Sequence, residues 1–297
     1  MNPAFLFALP GNDALTRGLA TQLHAKVGNL SMRKFPDRET YLRYDDKIAG
    51  KDIALVCTLD DPDSKLVPLI LAASGARQLG AARVGLVAPY LAYMRQDARF
   101  QPGEAVTSRT IATLLSSNFD WLVTVDPHLH RHRSLSEIYA IPTQVVHAAP
   151  AIAAWIRANV GNPFLIGPDE ESAQWIKDVA GDLHAPCATL RKHRQGDRAV
   201  SLEPIDLARI GDRTPVLVDD IIASGQTMIE AAKLIGTNTA SAPICIAVHG
   251  LFFLRADQQL VDMGARVVTT NTVPGAAAEI VLDKPIADGI RAAQALR

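Results

Sequence analysis

The chain has 297 residues, 48% hydrophobic and 21% charged, with 30 Lys and Arg against 31 Asp and Glu for a net charge of −1. Such a length is long for one core and comfortable for two domains, and the composition excludes a disordered tail or a fibre. A charge so near neutral excludes a field that would pull the protein onto nucleic acid or an anionic membrane, and no apolar stretch approaches the ~20 residues that cross a bilayer.

Short apolar runs alternate with amphipathic segments, the pattern of parallel α/β units. "AFLFALP" predicts a strand, and "DALTRGLATQLHAKVG" a helix opened by Asn12 or Asp13 and closed near Gly28. The first residues carry no basic segment of the kind that opens a signal peptide. "LSMRKFPDRETYLRY" predicts two short strands around a Pro-Asp turn. "DIALVCTL" is a strand, "DSKLVPLILAASGARQLG" a helix ended by Gly80, and "ARVGLVAPYL" a strand. "TSRTIATLLSSN" is a helix and "WLVTVDP" a strand.

The second half repeats the plan with "PFLIGPD" as strand, "ESAQWIKDVAGDL" as helix and "CATLRKHRQGDRAVSL" as a polar-tipped hairpin. "TPVLVDDII" (strand), "GQTMIEAAKLIG" (helix), "APICIAVHGLF", "ADQQLVDMG" and "ARVVTTNTV" follow. The reading is two similar α/β domains, 1–146 and 147–297, each with a mainly parallel sheet flanked by helices. Cys57, Cys187 and Cys245 lie far apart in apolar segments with no CxxC pair, which predicts reduced thiols in a cytoplasm.

In open parallel sheets, ligands collect beyond the carboxyl ends of strands. "VLVDDIIASGQT" delivers Asp219 and Asp220 to that edge, then sets Ala223, Ser224 and Gly225 where a helix begins. Backbone N–H groups and the positive end of the helix dipole face outward there, and small side chains let a phosphate approach. Gln226 and Thr227 continue the loop, and Thr227 adds a hydroxyl. Carboxylates would repel the phosphate itself, so they suit sugar hydroxyls or a metal-bridged ligand. The fragment calls for a phosphorylated sugar.

"VLVDDIIASGQT" resembles the phosphoribosyl-diphosphate loop of type I phosphoribosyltransferases and ribose-phosphate diphosphokinases. Other segments favour the diphosphokinase family. "YMRQD" is similar to its ATP-contacting segment, which implies ATP binding by Arg95, Gln96 and Asp97. "FPDRET" resembles its phenylalanine–x–aspartate–x–glutamate segment, implying that Phe35 stacks on adenine with Asp37 and Glu39 near the base or ribose, contributed by a neighbouring subunit. Arg38 stands there where relatives often have glycine. "VTVDPHLHRHRS" by its histidine spacing alone points to a transition-metal site, while Pro127 argues for a loop; the resemblance gives a role only to His128, beside the Mg–ATP triphosphate.

"GPDEES" resembles the family's proline–aspartate turn, which implies that Asp169 binds magnesium or sugar hydroxyls. "RKHRQG" is similar to its catalytic loop, with Lys192 and Arg194 neutralising charge on the reacting phosphates. Ala223 replaces an aspartate common in bacterial and animal relatives, a feature closer to the archaeal-type subgroup. The resemblance covers the whole chain. It implies two domains of type I phosphoribosyltransferase fold, ATP and ribose 5-phosphate as substrates, Mg2+ as cofactor, and a homo-oligomer, dimer or hexamer. A silent regulatory homologue, a phosphoribosyltransferase and a metal-binding protein built on "HLHRH" are the alternatives.

Overall fold

The apolar runs become parallel strands in a computed structural model that describes residues 2–129, 131–195, 199–203, 207–239 and 241–296. In the first unit these are β1 (Phe5–Ala8), α1 (Asp13–Leu23), β2 (Lys26–Val27), a hairpin of β3 (Leu30–Lys34) and β4 (Thr40–Tyr44), and β5 (Asp52–Val56). Then come α2 (Pro62–Gln78), β6 (Arg83–Val87), α3 (Thr107–Ser116), β7 (Trp121–Val125) and β8 (Thr143–Val146). The sheet runs β2-β1-β5-β6-β7-β8 with every pairing parallel. Strand β7, "WLVTV", is buried from end to end, and β5 and β6 are buried past their first residue, because helices cover a parallel sheet on both faces.

The second unit contains α4 (Ala149–Asn159), β9 (Pro163–Gly167), α5 (Ala173–Leu183), β10 (Cys187–Thr189), and a hairpin of β11 (Arg191–Gln195) and β12 (Ala199–Glu203). It continues with β13 (Thr214–Ile222), α6 (Gln226–Gly236), β14 (Ile244–Gly250), α7 (Ala256–Asp262), β15 (Arg266–Thr270) and β16 (Ala278–Ile280), and α8 (Asp283–Ala295) closes the chain. Its parallel sheet runs β10-β9-β13-β14-β15-β16. Element for element this is the order of the first sheet, with a hairpin inserted at the same point. The chain folds one topology twice.

The units comprise Met1–His147 with Asp283–Arg297, and Ala148–Leu282. The helices that follow the last strand of each repeat are therefore exchanged: α4 packs beside α5 in the second unit, while α8 lies on α1, β7 and β8 in the first. The sequence assigns residues 283–297 to the second domain; the structure corrects this. Ile286, Ala287, Ile290 and Ala293 form the buried stripe of α8. Gly289 lets the helix settle on the sheet, since a Cβ there would come within 2.7 Å of Val146 and 3.3 Å of Val123.

Two local expectations also change. Helix α1 ends at His24, in left-handed conformation with φ 53°, rather than near Gly28, because Lys26–Val27 pairs with β1 as an edge strand. Of "CATLRKHRQGDRAVSL", the hairpin takes residues 191–195, paired with 199–203, while Cys187–Thr189 pairs with β9 at the sheet edge. The three cysteines are free, and burial pushes the thiols of Cys57 and Cys245 up to about 12. Among the described residues no helix is long and apolar enough to cross a membrane.

Gly289→Val places a branched side chain against Val146 and Val123. Overpacking of this kind costs about 1–3 kcal/mol, so we expect a lower midpoint in urea unfolding of the full chain followed by circular dichroism.

Candidate active site

The buried residues Val216–Val218 carry β13 through the sheet, and Asp219 and Asp220 emerge at its carboxyl end. The neighbouring strand β9 delivers the Pro168–Asp169 turn to the same edge. There the backbone N–H of Ser172 donates to Asp169 Oδ1 at 3.4 Å, and the Ser172 hydroxyl donates to the Asp169 carbonyl at 2.6 Å. The backbone N–H of Asp220 donates to Asp219 Oδ1 at 3.0 Å. Burial, and then the charges of Asp220 and Asp169, raise the Asp219 carboxyl well above its ordinary pKa.

Beyond Ile222 the chain turns through half-buried Ala223 and exposed Ser224 to Gly225, the N-cap of α6, with φ 74°. Glycine is required there twice over. Its φ is left-handed, and a Cβ would lie 2.6 Å from that of Ala256. The N-cap residue of α6 offers no side chain, so the positive end of the helix dipole faces this edge. The Gln226 amide donates to Glu230, and half-buried Thr227 stands in the first turn. Sequence reasoning passed over His249, buried at the end of β14 beside Ile221, with Nδ1 2.9 Å from Thr272 Oγ1. Its signal was a lone histidine closing an apolar strand.

In the first unit, Arg95 is exposed and Gln96 braces the start of α3, its Oε1 accepting from the Thr107 hydroxyl at 3.0 Å. The Asp97 side chain is only 1% exposed, and its Oδ1 accepts from Arg131 at 2.9 Å. It therefore ties two loops together. Arg131, unassigned from sequence, also lies 4.8 Å over the Phe100 ring. Past β7, Asp126 adopts φ 32° and pairs with His147 at 2.8 Å, and His128 is half-buried. His130 lies outside the described residues.

His132 Nδ1 meets Glu137 at 3.2 Å; that bond and the backbone N–H of Arg133 hold the Glu137 carboxyl below its usual range. Among the described residues no three His, Cys, Asp or Glu side chains are gathered in a way that could hold a metal by themselves.

The β3–β4 tip exposes Phe35, Asp37 and Glu39. The Glu39 N–H donates to Asp37 Oδ1 at 3.1 Å, and the Arg38 N–H to the Phe35 carbonyl at 2.9 Å. Arg38 takes φ 74°, a conformation natural to glycine. Lys192 and Arg194 stand two residues apart on β11, opposite Leu202 and Val200 of β12; their side chains lie outside the described residues.

The family model described as the N-terminal domain of ribose phosphate pyrophosphokinase matches residues 4–118, and the phosphoribosyl transferase domain model matches residues 134–283. The ribose-phosphate pyrophosphokinase of Methanopyrus kandleri is 33% identical over 93% of this chain and 94% of its own. The chain belongs to the ribose-phosphate pyrophosphokinase family. Another relative of that name, from Sulfolobus acidocaldarius, is 32% identical over 86% of this chain and 88% of its own. The crystal structure of phosphoribosylpyrophosphate synthetase from Mycobacterium smegmatis superposes with a TM-score of 0.84 over 98% of both chains at 24% identity, a likeness of fold. Both units of this pyrophosphokinase are thus of the phosphoribosyltransferase type, and the acid-and-cradle edge of β13 lies within the matched phosphoribosyl transferase domain.

A carboxyl whose folded pKa is raised binds its proton more tightly when folded. Stability is thereby lost as pH climbs from the unfolded value, about 3.9, through the folded one, and the penalty is complete above it. Asp219→Asn removes that penalty. We expect a higher melting temperature for ligand-free protein at pH 8, by roughly 2–4 °C per kcal/mol released, with the gain vanishing below about pH 4.

Proposed function

We propose that this pyrophosphokinase transfers the β,γ-diphosphoryl group of Mg–ATP to the anomeric hydroxyl of ribose 5-phosphate, forming phosphoribosyl diphosphate and AMP. The observation that carries the reading is a pair of carboxylates set one short loop before an uncapped helix N-terminus whose N-cap must be glycine. Hydrogen-bond acceptors and an anion cradle at that separation fit a sugar that ends in a phosphate. Asp219 and Asp220 accept from ribose hydroxyls. The backbone of Ala223, Ser224, Gly225, Gln226 and Thr227, with two hydroxyls, holds the 5-phosphate.

For the nucleotide, Phe35 stacks on adenine, and Asp37 and Glu39 accept from the base or ribose. Arg95 offers a planar fork to phosphate oxygens. Gln96, with its carbonyl engaged by Thr107, keeps its amide N–H groups for the base. Asp97 contributes through Arg131, by holding this loop to the segment that bears His128. His128 stands beside the triphosphate.

Magnesium fits the second unit because its donors are hard oxygens, and because a dication would relieve the like-charge crowding at Asp219. Asp169 is the protein ligand we assign, with His128 on the nucleotide side. Few protein donors suit an ion that keeps waters and phosphate oxygens. When bound, the ion neutralises phosphate charge. The chain's own part is alignment of the two substrates and late neutralisation by Lys192 and Arg194, which suits a transfer governed by positioning and electrostatics.

A homo-oligomer is part of the proposal: an exposed aromatic on an isolated hairpin tip suits a nucleotide shared with a neighbouring copy. The cytoplasm is its compartment, consistent with three free thiols.

Incubating purified protein with Mg–ATP and ribose 5-phosphate is expected to release AMP in step with phosphoribosyl diphosphate. Absence of AMP overturns the reading, and consumption of added phosphoribosyl diphosphate with a nucleobase points to a phosphoribosyltransferase instead. Lys192→Ala is expected to lower kcat by about a hundredfold or more, the ~3 kcal/mol typical of a lost transition-state contact.

A further inference from the structure

We infer that Arg33 is a positioning residue of the nucleotide site, fixing the Phe35 ring together with Tyr41 so that one face is presented for stacking. The inference rests on the role given to Phe35 above. Along β3 and β4, Leu30, Met32 and Leu42 pack against the core of the first unit. Strand alternation sends positions 31, 33, 41 and 43 to the opposite face. Antiparallel register sets Arg33 directly across from Tyr41.

The Arg33 guanidinium carbon lies 4.3 Å from the Tyr41 ring centroid and 4.6 Å from that of Phe35. The rings themselves meet edge to face, 5.9 Å apart at 86°. One planar cation therefore sits over two nearly perpendicular rings. Two other cations on the hairpin strands have oxygen partners: Arg43 pairs with Asp45 at 2.6 Å, and Lys34 donates to Thr40 at 2.7 Å.

Phe35 is 38% exposed at a hairpin tip. A side chain so placed flips rotamers freely unless something holds it, and a nucleotide would bear the cost of ordering it. Arg33 lies over the ring and Tyr41 packs perpendicular to it, so the ring is ordered before the base arrives. The base stacks on the surface of the ring that stays exposed. The tip turn adds to this order, since the Phe35 N–H donates to the Glu39 carbonyl at 2.8 Å.

The test is steady-state kinetics on the full chain with Arg33→Ala, Arg33→Lys, Phe35→Leu and the double variant Arg33→Ala/Phe35→Leu. Arg33→Ala is expected to raise KM for ATP about two- to fivefold, the worth of one exposed cation–ring contact, with kcat, KM for ribose 5-phosphate and Tm held. Arg33→Lys should restore part of the loss, because an ammonium keeps charge over the rings. In the Phe35→Leu background, Arg33→Ala should add nothing.

Additive losses in the double variant overturn the inference. So does weaker inhibition by inorganic tripolyphosphate in Arg33→Ala, which would mean that the guanidinium grips phosphates directly. If Phe35→Leu leaves KM for ATP unchanged, the role of Phe35 in nucleotide binding fails first, and the inference with it. If Phe35→Leu raises KM and Arg33→Ala does not, only the inference fails.

Discussion

Three carboxylates crowd the carboxyl edge of one parallel sheet, and the rest of the site is arranged around the cost of keeping them there. Asp219 is desolvated and faces the charges of Asp220 and Asp169. A fold does not gather like charges for its own stability; burial and mutual repulsion both oppose it. The arrangement makes sense as stored acceptor capacity, released when sugar hydroxyls and a divalent cation share the load. Strained or destabilised constellations of this kind are where function departs from folding preference. The loop next to them follows the same logic with opposite sign, since the start of α6 carries the positive end of a helix dipole beside small side chains.

The duplicated topology supplies an internal comparison. In the first unit the strand β5 also leads through an acidic pair, Asp60 and Asp61, into a helix. There the helix opens differently. Pro62 begins α2 and has no N–H to offer, and Asp61 at the N-cap position sets a carboxylate there, which accepts from the Ser64 hydroxyl. Lys65 folds back to donate to the Thr58 carbonyl at 3.1 Å and to Asp60. The same backbone plan therefore opens one helix on small residues and the other on an aspartate and a proline. The difference lies in a handful of side chains, chiefly the small residues 223–225 against Pro62 and Lys65.

Exchange of the last helix of each repeat ties the two chain halves together through covalent connectivity. Helix α8 needs a glycine where it meets Val146 and Val123, so its seat on the first unit is a built fit. The hairpins are the other repeated device. Each interrupts its unit between the edge strand and the central strand, and each carries residues assigned to chemistry: Phe35, Asp37 and Glu39 in one, Lys192 and Arg194 in the other. At the β3–β4 tip, Phe35, Asp37 and Glu39 are exposed, which suits groups that must meet ligands.

Much of this was legible in the residue order alone. Period and punctuation mark the strands and most helices, because a parallel strand buried on both faces must be apolar throughout, and its helix must be amphipathic. Asp219, Asp220 and Gly225 could be singled out because their chemistry conflicts with simple folding demands. The two-residue strand Lys26–Val27 could not, since a pairing that short has no pattern of its own and exists only because β1 offers an open edge. The pairing of Asp97 with Arg131, 34 positions away in the chain, could not be read either. Arg33 and Tyr41 likewise acquire a role only through cross-strand register. The residue order determined where acids, small loops and apolar runs lie along the chain; folding alone decided which distant side chains meet, and to which unit α8 belongs, because an amphipathic stripe specifies that it must be covered and not by what.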